Sequence, residues 1–165
     1  MTDPSLAVEL PEPRGLYFED FEIGKRYLTS RRTVTLTDIV NFACLSGDHN
    51  APHIDHEFCK TQPYGEPIAH GPLVFAISGG LQCLSGMNDG TIIAMLGVDR
   101  WRIHLPVKHG DTIQVVITPT EKRTTSKPGQ GVVTFDRIIR NQRGETVQSA
   151  VVTLLYRCRP SAGAA

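Results

Sequence analysis

Three things are scarce in this sequence, and each scarcity narrows what it can do. Neither sign of charge is in excess, because Lys+Arg and Asp+Glu both number 17. The basic footprint expected of a protein that grips nucleic acid or an anionic membrane surface is therefore missing. No apolar run approaches the roughly 18 residues that a membrane helix needs. The opening stretch MTDPSLAVELPEPRG has no basic start leading into an apolar core, so no secretory leader is expected. Cysteine is sparse too. Cys44, Cys59, Cys83 and Cys158 form no C-x-x-C pair, which argues against a zinc ribbon or a thioredoxin-like site. A cytoplasmic protein with reduced thiols is the expectation, with neither nucleic acid nor membrane as a partner.

What is present organises into one domain. The 165 residues suffice for a sizeable core without disulfides or metal. Prolines crowd the first fourteen residues and small residues close the chain. The expectation is a flexible segment over 1–14, a single domain over 15–159 and a flexible tail over 160–165. TLTDIVNFACLSG reads as a short helix, with Thr35 and Asp38 as a capping box and Gly47 as its stop. GPLVFAISGGLQCLSG, from Gly71 to Gly86, is apolar almost all round and reads as a buried helix with Pro72 in its first turn. Gly79 and Gly80 each cost a helix about 1 kcal/mol relative to alanine, so close packing against the backbone is expected there. Beyond Gly90, four segments rich in β-branched residues are separated by the turn signals PVKHGD, SKPGQG and NQRGE. They read as consecutive strands, most simply an antiparallel meander, with KRYLTSRRTV a possible fifth. An α+β fold follows, with a sheet covering one apolar helix.

The stretch SGDHNAPHID, Ser46 to Asp55, is too polar for a core strand and dense in groups that titrate or coordinate. Three readings compete. Its Asp and Asn side chains suit local capping of a solvated loop. His49, His53, Asp55 and His56 suit a metal, since H-x-x-x-H serves zinc when it lies on a helix. Against this, Pro52 pushes its preceding residue out of helical conformation. Asp48 and His53, finally, suit acid–base work on one water across a proline-bent turn. IAHGP follows, and it places Gly71 at a helix N-terminus, where free N–H groups and the dipole favour a developing negative charge. An acid–base pair beside an oxyanion site suits enolate chemistry on a thioester.

Those residues carry a resemblance. Gly47, Asp48, Asn50 and His53 fit the pattern G-D-x-N-x-x-H. The opening FEDFEIGKRY precedes them, and PIAHG, an apolar helix with a double glycine and the turn WRIHLPVKHGDTI follow in that order. Together, from about Leu16 to Arg157, they resemble the MaoC-like dehydratases, or (R)-specific enoyl-CoA hydratases. The resemblance implies a hotdog fold: a strongly curved antiparallel sheet wrapped around one long helix, here Gly71 to Gly86, and paired into a homodimer or a multiple of dimers. It implies reversible syn hydration of a trans-2-enoyl thioester to an (R)-3-hydroxyacyl thioester. Asp48 and His53 would activate the water, and the Gly71 N–H would hold the enolate. Asn50 and His70 would support them. No metal or redox cofactor is implied, because coenzyme A or the phosphopantetheine of an acyl carrier protein belongs to the substrate. Lys122, Arg123 and Lys127 are candidate contacts for its phosphates, or else a solvated basic hairpin. Trp101 is expected in the core or at an interface. The sequence departs from the family at Asn50-Ala51-Pro52-His53, where many members have proline directly after the asparagine. It departs again at Gly79, where many have serine; Ser78 is one position off. The rival functions are a hotdog thioesterase and a non-catalytic acyl-CoA-binding subunit.

Overall fold

The reciprocal cap read from Thr35 and Asp38 is in place in the computed structural model, which describes residues 14–160. The Thr35 hydroxyl accepts the Asp38 N–H at 3.2 Å, and the Asp38 carboxylate accepts the Thr35 N–H at 2.8 Å. This starts helix α1, Leu36–Ser46, and Gly47 ends it in the left-handed conformation at φ +78°, as a helix stop without a side chain allows. Of the terminal segments 1–14 and 160–165, all but Arg14 and Pro160 lie outside the described residues.

Two short helices follow, α2 (Ala51–Ile54) and α3 (His56–Lys60), and then the long α4 (Gly71–Leu84). The buried residues of α4 are Leu73, Val74, Ile77, Ser78, Leu81 and Gln82. They face a six-stranded antiparallel sheet built from β1 (Tyr27–Leu28), β2 (Arg32–Thr33), β3 (Ile92–Ile103), β4 (Thr112–Thr124), β5 (Gln130–Arg140) and β6 (Thr146–Arg157). Inward side chains of β4, β5 and β6 close the core with Ile39 of α1 and Phe21. Phe21 packs on Phe135 and Tyr156 at ring-centroid distances of 5.3 and 4.6 Å. Each such fully buried large side chain contributes on the order of 1.5–3 kcal/mol. No helix among the described residues is long and apolar enough to cross a membrane.

Two expectations change. The sheet order is β1-β4-β5-β6-β3, so only β4, β5 and β6 form a meander. The free side of β4 is taken by β1 and β2, in the registers Tyr27↔Ile117 and Arg32↔Ile113. β3 pairs with β6 at the far edge instead. The connection from β3 to β4 is consequently no hairpin. It crosses the end of the sheet, and its Val107 carbonyl accepts the Ala69 N–H at 2.7 Å just before α4. The close packing expected at Gly79 and Gly80 is also absent. A Cβ built on either meets nothing within 4 Å, so open space lies beside the helix there. Ser78 is buried and donates to the Phe75 carbonyl of its own helix at 2.6 Å.

Candidate active site

Three elements bring the polar groups together: the loop after α1, the single turn α2 and the segment Ile68–His70 entering α4. The loop puts Asp48 outside the αL stop of α1. Its Oδ1 accepts the Asn50 backbone N–H at 3.3 Å and the Asn50 amide at 2.6 Å. Those bonds, led by the backbone N–H, and the neighbouring His53 and His70 rings hold the Asp48 carboxyl below its ordinary range against a smaller opposing desolvation. Asp48 is thus an anion at neutral pH.

His53 lies on α2. The expectation that Pro52 would keep this stretch from being helical does not hold, because Pro52 falls in the first turn, where its missing N–H has no helical partner to lose. Asn50 is the N-cap. The Nδ1 atom of His53 lies 2.7 Å from the Ile68 carbonyl. A carbonyl only accepts, so Nδ1 carries the hydrogen, and the neutral ring offers its lone pair at Nε2. That Nε2 stands 3.9 Å from Asp48 Oδ2, beyond direct hydrogen-bonding distance.

His70 is buried behind both. Its Nε2–H donates to the Asp48 backbone carbonyl at 2.9 Å. Its ring stacks on His53 with centroids 3.6 Å apart and planes at 24°, and Phe42 backs it at 5.0 Å. One ring therefore fixes the position of both facing groups. Its Nδ1 has no partner among the described residues.

Gly71 is the first residue of α4, so no helical carbonyl can accept its N–H. A side chain there would collide with the Ile103 side chain. The Gly71 carbonyl accepts from Gln148 Nε2 at 3.0 Å, and Gln148 Oε1 accepts from the Trp101 indole at 3.1 Å. Gln148 thus ties the start of α4 to β6 and β3. Its sequence signal is slight: a glutamine in step with the inward-facing Ala150, Val152, Leu154 and Tyr156. His53, Gly71, Val74, Ile103, Pro106 and Gln148 border one cavity of about 280 Å³. A larger hollow of about 560 Å³, bordered by Arg14, Tyr27, Met87 and Ile117, holds no imidazole or carboxylate among the described residues.

The basic residues of the β4–β5 hairpin are placed elsewhere. Gln148 is in register with Ile139, and through it with Val115, whereas Arg123 pairs with Val132. Eight residues of strand separate Val115 from Arg123, roughly 26 Å. Lys122 is already engaged, donating to the Phe21 carbonyl at 2.8 Å and the Glu19 carbonyl at 3.1 Å. Within one chain, then, Lys122, Arg123 and Lys127 do not join the site, since the hairpin extends away from the α4 N-terminus.

The metal set His49, His53, Asp55 and His56 is not assembled either. His49 precedes α2, and Asp55 caps α3 through the Phe58 N–H at 2.9 Å. Among the described residues the one grouping with metal-ligand spacing is Asp48, His53 and His70, within 4.8 Å of one another. The His70 nitrogen nearest Asp48 is the one that donates to a carbonyl, so it has no lone pair to give. A carboxylate oxygen and one imidazole nitrogen remain, fewer than the three protein ligands of a catalytic zinc site.

Comparison with known proteins identifies the family of the chain. Residues 20–139 match the MaoC like domain. Protein MaoC of Klebsiella aerogenes is 43% identical over 106 residues, 64% of this chain but only 31% of that protein. The 3-hydroxybutyryl-CoA dehydratase of Methylorubrum extorquens is 31% identical over 112 residues, 68% of this chain and 69% of that protein. The solved structure of the monoamine oxidase regulatory protein from Archaeoglobus fulgius superposes with a TM-score of 0.80 at 38% identity, covering 88% of this chain and 97% of that one. The curved sheet around α4 is the hotdog fold. By its motif, its fold and the match across most of its length, the chain belongs to the MaoC-like domain family.

Proposed function

We propose that this chain catalyses the reversible hydration of a trans-2-enoyl thioester, carried on coenzyme A or on an acyl carrier protein, to the (R)-3-hydroxyacyl thioester. The observation that carries the reading is the pair of acceptors, Asp48 Oδ2 and His53 Nε2, facing each other across 3.9 Å. A water has two O–H donors, and two fixed acceptors orient it with a lone pair outward. As its oxygen bonds to C3, His53 Nε2 takes one proton. The electron pair of the C2–C3 double bond moves onto the thioester oxygen, where the Gly71 N–H receives it. The imidazolium then returns its proton to C2 from the same face, which makes the addition syn. The Asn50 bonds weaken Asp48 as a base but keep it anionic, so it steadies the water and then the imidazolium. His70 and Asn50 position the pair without touching substrate. The name of the Methylorubrum extorquens relative supports this reaction class.

Crotonyl-CoA tests the reading. Loss of the enoyl absorbance with no free thiol is the expected result, and it should survive exhaustive chelation. Thiol release in its place identifies a thioesterase, and binding without turnover identifies an acyl-CoA-binding subunit. We also propose a homodimer, for which β3 offers an edge that is unpaired among the described residues.

A further inference from the structure

The interior between β5 and α4 holds a charge that nothing in the described chain neutralises. Arg137 faces inward between Phe135 and Ile139 and is only 5% exposed. Its guanidinium donates to Gln82 Oε1 and lies over the Phe75 ring at 5.4 Å. Its Nε has no partner, and neither has Gln82 Nε2. No carboxylate stands within 4.0 Å of it among the described residues. The Tyr156 hydroxyl beyond is committed to Asn88 Oδ1 at 2.7 Å. A buried cation with donors left over is costly unless an anion meets it.

The position of this charge is informative. Eleven residues are close to three full helical turns, so Gln82 stands along the same face of α4 as Gly71, about 16 Å away. Phe75 and Gly79 lie on that face between them. The Phe75 ring is partly exposed and touches Trp101 at 5.4 Å. Beside Gly79 there is open space. The cavity at Gly71 is bordered on this helix by Val74 and not by Phe75, so an acyl chain with its thioester oxygen at Gly71 would have to pass the Phe75 ring to run along α4 and end at the guanidinium.

We infer that Arg137 and Gln82 form a receptor for a carboxylate at the distal end of the acyl group, so that ω-carboxylated acyl thioesters are preferred at this site. This rests on the reading of Gly71 and His53 as the thioester end. The guanidinium offers a forked pair of donors to the carboxylate, and the spare Gln82 N–H adds a third. A plain alkyl tail would leave all of them unsatisfied.

Equilibrium binding of saturated thioesters tests this without requiring turnover. Adipyl-CoA and suberyl-CoA are compared with hexanoyl-CoA and octanoyl-CoA on the full chain by calorimetry. In at least one pair the carboxylated ligand should bind about tenfold to a hundredfold more tightly, the range for hydrogen bonds to a charged group. In Arg137→Met, of similar length but uncharged, that ratio should fall to near one. Equal affinities in both pairs for the wild-type protein, an unchanged ratio in Arg137→Met, or no binding of any of the four overturns the proposal. If Arg137→Met does not fold, Gln82→Leu replaces it under the same criteria, with a clear drop in the ratio expected. A protein that keeps the ratio yet leaves every enoyl-CoA unhydrated sinks the hydratase reading and spares this one.

Discussion

Asp48 and His53 are separated by 3.9 Å, so neither holds the other directly, and the proposed mechanism couples them through a group held between. Asp48→Asn keeps the size but removes the anion, and His53→Gln cannot cycle a proton. Each should lower turnover by about 10²–10⁴-fold. On the proposed mechanism both act on one water, so the double variant should be little slower than the slower single variant. Multiplicative losses would show that they act independently, and near-normal turnover in either single variant would remove that residue from the mechanism. Their closeness was legible in the sequence because a polar loop rich in titratable groups stands out against β-branched strands. What could not be read was the scaffold. The stacking of His70 on His53, its bond to the Asp48 carbonyl and the Gln148 bridge all join residues distant in sequence. Arg137 gave a faint signal, an arginine in an inward-facing register, but only the packed structure shows that it lacks an acid among the described residues.

Among the elements, α1 and α4 were readable because their caps are local: Thr35, Asp38, Gly47 and Pro72 each act within a turn or two of where they sit. The partner of β3 was not readable, because alternation along a strand fixes its faces and leaves its neighbours open. The segment His104–Asp111 shows what decided it. Asp111 anchors this crossing: its carboxylate accepts from the Lys108 N–H at 3.0 Å, the Gln142 amide at 2.6 Å and Arg143 at 3.0 Å. Burial alone would raise its pKa, but the Lys108 N–H, Gln142 and Arg143 outweigh burial and hold the carboxyl below its ordinary range. A depressed folded-state pKa adds stability that is present above the unfolded value, about 4, and is lost as pH falls through the folded value. Asp111→Asn should therefore cost about 1–3 kcal/mol at pH 7. The difference from the wild-type chain should shrink steadily in urea titrations carried below about pH 4. A difference that stays constant down to pH 2 would mean that the ionised carboxylate is not what anchors the loop.

For the molecule as a whole, the open question is the β3 edge. Among the described residues β3 pairs with β6 on one side only. Ile93, Met95 and Leu96 are 44%, 59% and 51% exposed along it, a row of apolar side chains beside unpaired backbone. Soluble proteins seldom leave such an edge uncovered, and equal numbers of acidic and basic residues provide no net repulsion between copies. A second copy of the same edge satisfies both the backbone groups and the side chains with one two-fold interface. The expected result in sedimentation equilibrium is a species of twice the chain mass at micromolar concentration. Leu96→Lys puts a charge into the middle of that contact and should weaken the dimer at least about tenfold, the scale of a buried interface residue. Because Leu96 lies outside the core cluster, the thermal unfolding of the variant at high protein concentration should stay cooperative. A wild-type chain that sediments as one stable species at the mass of a single chain across that range, or a Leu96→Lys variant that dimerises as tightly as the wild type, would show that the β3 edge is not the interface.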